Sequence, residues 1–202
     1  MSEFVEFLPN FDEPITLREV KDQCRIDGDF SEDDDLISQV IIPNVRQMAE
    51  TRTGSIIRGA RYVQRMQAFP KVGGFIALTH GAVVAVESIT YATTGGTRAT
   101  MANSAFEAAV IERETLICPV ADAWPDTGKG LRAVEITYTA GVSLDDMAIR
   151  FPTVRYWLLL AAAWGYDNRE MFIKAKGANA FNELPAEYMN TLLDPLTLRT
   201  RF

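Results

Sequence analysis

Apolar positions recur at helical spacing toward both ends of the sequence and alternate through its middle. Thr16 and Glu19 form a T-x-x-E capping box. Leu17, Val20 and Cys24 behind it share one face, so a short helix is expected over 17–26. Asp27-Gly28-Asp29 stops it. A second helix is expected from an N-cap at Ser31, with Asp34 at its third position, to about Thr53, where Gly54 ends it. The acids Glu32 to Asp35 fill its first turn, where the helix dipole favours negative charge. Ile37, Ile41, Val45 and Met48 make its apolar stripe. Pro43 interrupts that stripe and should kink or split the helix, because it removes a backbone hydrogen bond.

From Ile56 to Val142 the pattern changes. Residues 61–69 alternate as a strand does, and FIALTH, VVAVESITYAT, EAAVIER, TLICPV and AVEITYTAG are rich in β-branched and aromatic residues. Gly73-Gly74, Gly95-Gly96, Pro125-Asp126 and Gly128-Lys129-Gly130 punctuate them. An antiparallel β lobe is expected, with a hairpin around Gly128.

Helix returns at Pro152, a good first helical residue. The run FPTVRYWLLLAAAWGYDNRE is apolar on nearly every face, so this helix should be buried on two sides. Either the β lobe or a neighbouring subunit would cover the second side. Lys174, Lys176 and Gly177 suggest a loop, a short helix is expected from Pro185 to Pro195, and LTLRTRF follows. The fold class is therefore α+β: two N-terminal helices, a long apolar C-terminal helix and a short terminal helix make a helical core, with an antiparallel β lobe inserted in it. The chain reads as one domain over 1–202, divided into N-terminal helices (1–54), β lobe (55–142) and C-terminal helices with a tail (143–202).

The net charge of −7 sharpens this picture. Residues 1–54 carry thirteen acids and five bases, a balance of −8, and residues 55–202 carry fourteen acids and fifteen bases, a balance of +1. The acidic end is a poor clamp for phosphate. It suits a basic partner, a passage for DNA that must not stick, or plain water. Two distant cysteines, Cys24 and Cys118, suit free thiols in a reducing compartment. No basic start with an apolar run marks the N-terminus, and the longest apolar stretch is about half a bilayer span. A protein neither secreted by a cleaved signal nor embedded in a membrane is expected.

Candidate chemistry is thin. The single histidine, His80, lies between Thr79 and Gly81 and reads as a turn or strand-end residue. No C-x-x-C or H-E-x-x-H spacing offers zinc its ligands. The run from Asp27 resembles a calcium loop, but Glu32 stands where Gly is required and Ser38 where Glu is required. TGKGL lacks the earlier glycine of a phosphate loop, Ala123 standing there, and has Gly130 after the lysine. Glu87, Glu107, Glu112, Glu114 and Glu135 lie in or beside strands, with nothing in the sequence to pair them across a cleft. No catalytic, metal or cofactor site is expected.

Several segments together resemble a known family. Leu17, Val20 and Lys21 precede Asp34-Asp35-Leu36-Ile37, then Glu50, Thr53 and Gly54, Tyr138 to Gly141, and Asn168 to Glu170. Over roughly residues 16 to 193 the chain resembles the head–tail connector, or adaptor, proteins of tailed bacteriophages, in the longer form with a β insertion. Pro43 departs from that pattern. The resemblance implies a structural virion protein without turnover, located at the neck. It would form a ring of about twelve subunits beneath the portal, extend the DNA channel and link capsid to tail. Its implied partners are further copies of itself, the portal, and a downstream neck or tail protein, with DNA passing through the lumen unread. On that plan Trp157, Leu160 and Trp164 supply subunit contacts. Leu196, Leu198, Arg199, Arg201 and Phe202 dock on the portal, and Asp33, Asp34 and Asp35 line an acidic channel face. Another phage neck or head-completion protein, and a carboxylate-dependent hydrolase, are the alternative readings.

Overall fold

The computed structural model describes residues 2–9, 12–71, 74–168 and 186–198. The chain divides into two compact units. One is a β unit of residues 1–12, 54–143 and 197–202, and the other a helical unit of residues 13–53 and 144–196.

The β unit contains two antiparallel sheets. Strands β1 (Ser2–Phe7), β2 (Ala60–Met66), β4 (Val83–Ala92), β5 (Arg98–Thr100) and β8 (Val134–Ala140) form a five-stranded sheet in the order β1-β2-β8-β4-β5. Strands β3 (Ile76–Ala77), β6 (Phe106–Ile111) and β7 (Glu114–Pro119) form a second, ordered β3-β7-β6. Side chains alternate along each strand. Val134, Ile136 and Tyr138 of β8 and Ile89 of β4 therefore turn to one face, where they join Ile76, Leu78, Phe69, Ile117 and Trp124 in one core. Trp124 stacks on Phe69 at 4.7 Å and donates its indole N–H to the Gly74 carbonyl at 2.8 Å.

Three features differ from the sequence expectation. First, Ser2–Phe7, within the segment 1–54 read as N-terminal helices, is a strand on β2. Its pairing shifts register between Phe4 and Glu6. This bulge places Glu3 and Glu6, three apart, on the same face, which a regular strand would not allow. Second, β6 stops at Ile111. Glu112 and Arg113 take positive φ of 50° and 74° and close a two-residue hairpin to β7. Third, residues 120–133 do not form a hairpin. They carry the chain from the small sheet to the centre of the large one. The Gly128 N–H bonds the Ala92 carbonyl at 2.9 Å, and a Cβ at Gly128 would sit 2.7 Å from the Thr93 carbonyl oxygen.

In the helical unit, α1 (Leu17–Cys24) carries both halves of its capping box: Thr16 accepts from the Glu19 N–H, and Glu19 accepts from the Thr16 N–H. It ends at Arg25, whose φ of 58° is left-handed. The second helix does not split at Pro43. It runs as a π-helix over Leu36–Ile41 and continues as α2 (Ile42–Thr53). The Ile42 N–H bonds the Ile37 carbonyl, five residues back. The wider turn leaves room for the proline ring and asks nothing of the missing N–H. Ser31 contributes its carbonyl to the entry turn, accepting from the Asp34 N–H at 3.2 Å, in place of the expected side-chain cap.

Helix α3 (Leu144–Ile149) precedes α4 (Pro152–Asp167), and α5 (Ala186–Leu193) runs into a 3₁₀ turn, Asp194–Leu196. The expected loop around Lys174 to Gly177 lies outside the described residues. Helix α4 packs against α1, α2, α3, α5 and the π segment. Elements of its own unit thus cover the side that carries Trp157 and Leu158, while Tyr156 and Trp164 stay exposed.

Candidate assembly surfaces

The outer face of the five-stranded sheet is a lattice of ion pairs. Arg61 on β2 bonds Glu87 on β4 at 2.9 Å and also pairs with Glu6 on β1. Arg65, four residues on, bonds Glu135 on β8 at 3.0 Å and pairs with Glu3 on β1. Arg98 on β5 bonds the other oxygen of Glu135 at 2.7 Å. Period-2 alternation puts Arg61 and Arg65 on one face, and the bulge in β1 brings both of its glutamates there. The strand carboxylates Glu87 and Glu135 thus face arginines rather than each other. Glu112 lies in the β6–β7 turn, Glu114 opens β7, and Glu107 is exposed on β6.

His80 sits in the turn between β3 and β4, half-buried, with Nε2 2.7 Å from the Ser2 hydroxyl. Its ring lies 4.6 Å from that of Tyr62, which stacks on Tyr138 at 5.9 Å. Burial lowers the His80 pKa from its ordinary value and pushes the Tyr138 phenol up to about 12. The cluster fastens β1 to the sheet, and the Gly54 backbone also hydrogen-bonds the imidazole. Nearby, buried Gln64 uses both ends of its amide: it donates to the Ala77 carbonyl at 3.0 Å and accepts from the Thr79 N–H and hydroxyl, each at 2.8 Å. Among the described residues no three His, Cys, Asp or Glu are grouped to hold a metal ion. Cys24 and Cys118 are free, and burial raises the Cys24 thiol.

The helical unit keeps charges inside. Arg46, buried on α2, donates Nε to Glu13 at 2.8 Å and Nη1 to Glu50 at 2.7 Å. Buried Lys21 reaches Asp34 at 2.6 Å, and Arg155 of α4 pairs with Glu19 of the capping box. The proposed acidic trio is therefore divided. Asp33 accepts from the Tyr166 hydroxyl at 2.6 Å, Asp34 holds Lys21, and Asp35 is exposed with Asp27, Asp29 and Glu32.

The three residues assigned to subunit contacts also separate. Trp157 is 2% exposed and belongs to the core, whereas Trp164 is 42% exposed. Tyr156, Leu160 and Trp164 fall on one stripe of α4 at i, i+4 spacing, with Leu160 half-buried between two exposed aromatics. Within the tail, Leu196 is buried in the helical unit. Leu198 packs on the β unit, its Cδ1 3.1 Å from where a Cβ on Gly54 would stand. Arg113 donates to the Thr197 carbonyl at 3.2 Å. Both leucines expected to dock elsewhere are thus packed within the chain. Arg199, Arg201 and Phe202 lie outside the described residues. Among those described, no helix is long and apolar enough to cross a membrane.

The family model of the phage gp6-like head-tail connector protein matches residues 14–114, half of the chain. Among solved structures, a chain from the virion of the native gene transfer agent particle aligns with a TM-score of 0.74 and 19% identity, covering 100% of this chain and 97% of that one. Chains from the neck of the empty particle, computed with C6 symmetry, and from the neck of the native particle, computed with C12 symmetry, align with TM-scores of 0.72 and 0.66 at 18% identity and the same coverage. No curated protein matches the chain.

Proposed function

The chain belongs to the family of phage gp6-like head-tail connector proteins, and from that premise we propose that it is the subunit of a ring beneath the portal, extending the DNA channel and joining capsid to tail. The observation that carries this reading is the full-length likeness to neck chains, one of them in a particle neck computed with C12 symmetry. Such symmetry fits a closed ring of identical contacts.

In this reading the protein works by packing rather than turnover. The strand carboxylates Glu87 and Glu135 are paired with arginines. The half-open stripe of Tyr156, Leu160 and Trp164 is a subunit or neck contact. The exposed acids Asp27, Asp29, Glu32 and Asp35 face the lumen, where negative charge keeps phosphate from adhering. Portal docking falls to Arg199, Arg201 and Phe202.

The test is negative-stain microscopy of the purified protein mixed with the portal protein of the same genome. Rings seated on portal are the expected outcome. Their absence at every concentration overturns the ring reading and leaves another neck or completion role. Free monomer by itself decides nothing, because the portal is able to act as template. Removing residues 199–202 should abolish portal binding while leaving the thermal melt unchanged, and unchanged binding would remove the tail from the docking site.

A further inference from the structure

Thr197 and Leu198, the last described residues, lie on the β unit at a seat built from two glycines. The Gly81 N–H bonds the Gly54 carbonyl at 3.0 Å, and the Ile56 N–H bonds the Gly81 carbonyl at 3.3 Å. The two glycines are thereby held side by side, with the half-buried Leu198 side chain against both. A Cβ on Gly81 would stand 2.8 Å from Leu198 Cδ2 and 2.3 Å from Ser55 Oγ, well inside the distance at which such atoms pack. A side chain there would push the leucine from its place.

A second contact comes from the β6–β7 hairpin. Its turn residues, Glu112 and Arg113, have φ of 50° and 74°. Turns of this kind favour Asn-Gly, because left-handed backbone is unfavourable for a residue that carries a Cβ. Arginine at the second position works against the turn, and an outlier of this sort points to a use for its side chain. The Arg113 guanidinium donates to the Thr197 carbonyl at 3.2 Å, next to Leu198. This short segment is thus held twice, by an arginine that the turn would not select and by a seat that glycine leaves open.

We infer that Arg113 and the Gly54–Gly81 seat form a clamp that fixes the base of the C-terminal segment for docking on the portal. The clamp acts by pre-organisation: a segment anchored at its base loses less conformational freedom on binding than one that leaves the surface freely. Arg113, Gly54, Gly81 and Leu198 are positioning residues, acting through the tail rather than on the portal. This inference rests on the reading of Arg199, Arg201 and Phe202 as portal contacts.

Arg113→Gly is the deciding substitution. Glycine suits the left-handed turn better than arginine does. An Arg113 that served only the hairpin therefore predicts an unchanged or raised melting temperature and unchanged portal affinity. The clamp predicts the same melt with portal affinity about tenfold weaker. Leu198→Ala, which empties the seat, should weaken affinity by a similar factor, and Arg113→Lys, which keeps a donor, should recover part of the loss. Affinities are read with full-length chains on immobilised portal protein of the same genome, beside a chain lacking residues 199–202. If the truncated chain binds as wild type does, the tail-docking reading fails and the clamp falls with it. If truncation abolishes binding while Arg113→Gly and Leu198→Ala bind within about twofold of wild type, docking stands and the clamp is overturned. If Leu198→Ala lowers the melt, Arg113→Gly decides alone: weakened binding supports the clamp and wild-type binding rejects it.

Discussion

The two units of this chain put their charges in opposite places. The β unit wears them outside: Arg61, Arg65 and Arg98 bind carboxylates across four strands on a wet face, while its interior is aromatic and aliphatic. The helical unit buries them: Arg46 sits between Glu13 and Glu50, and Lys21 meets Asp34 under the start of the second helix. An exposed ion pair is screened by water and contributes little. A buried one contributes little net stability when intact but is costly to break, since the remaining partner is left without compensation. The β unit should therefore tolerate charge changes on its face and resist changes in its core, whereas the helical unit should be sensitive to both.

The largest effect is expected at Trp157 in the helical core. Trp157→Ala should lower unfolding stability by about 3–5 kcal/mol, read by denaturant titration. A loss below about 1 kcal/mol would mean that the site collapses or that the tryptophan is not packed as described. Next comes Arg46→Ala, expected to cost about 3 kcal/mol by exposing two half-buried carboxylates to each other. A neutral outcome would erase the contrast between the units.

The β core supplies a pH test of intermediate size. The Tyr138 phenol is raised from 10.0 to about 12 by burial. The unfolded chain therefore releases this proton before the folded one does. The contribution is complete below pH 10 and is lost as pH rises toward 12, by roughly 2–3 kcal/mol. Thermal melts of wild type against Tyr138→Phe should diverge over that window, with the variant showing the flatter profile. Parallel profiles would place the hydroxyl in contact with solvent.

The smallest effects belong to the surfaces. Glu135→Gln removes the acceptor shared by Arg65 and Arg98, yet should cost no more than about 1 kcal/mol because both arginines are partly exposed. Trp164→Ala should shift the melt by about 0.5 kcal/mol or less, as for other surface changes, while weakening ring assembly. If it melts the monomer instead, the aromatic stripe of α4 is core and not contact.

How far the molecule was legible varies by residue. The Thr16–Glu19 capping box, the family pattern and the β-rich middle could be read directly, since each depends on neighbours a few positions apart. Strand β1 could not, because its bulge replaces period-2 spacing with the three-residue spacing of Glu3 and Glu6. Pro43 signalled disruption, but a π turn absorbed it. Trp157 and Trp164 look alike in an all-apolar helix, and only the packing of α1, α2, α3 and α5 around α4 put one in the core and the other at the surface.

The sequence by itself determined the class of fold, the family and the uneven charge along the chain, because these are written in local pattern and composition. Tertiary structure alone decided which charges are buried, that Leu196 and Leu198 pack on their own chain, and that Ser2–Phe7 forms an edge of the large sheet. The physical reason is common to all three. Burial, docking and edge placement depend on strand order and on residues brought together from distant positions, and the order β1-β2-β8-β4-β5 is not encoded in any one stretch of the chain.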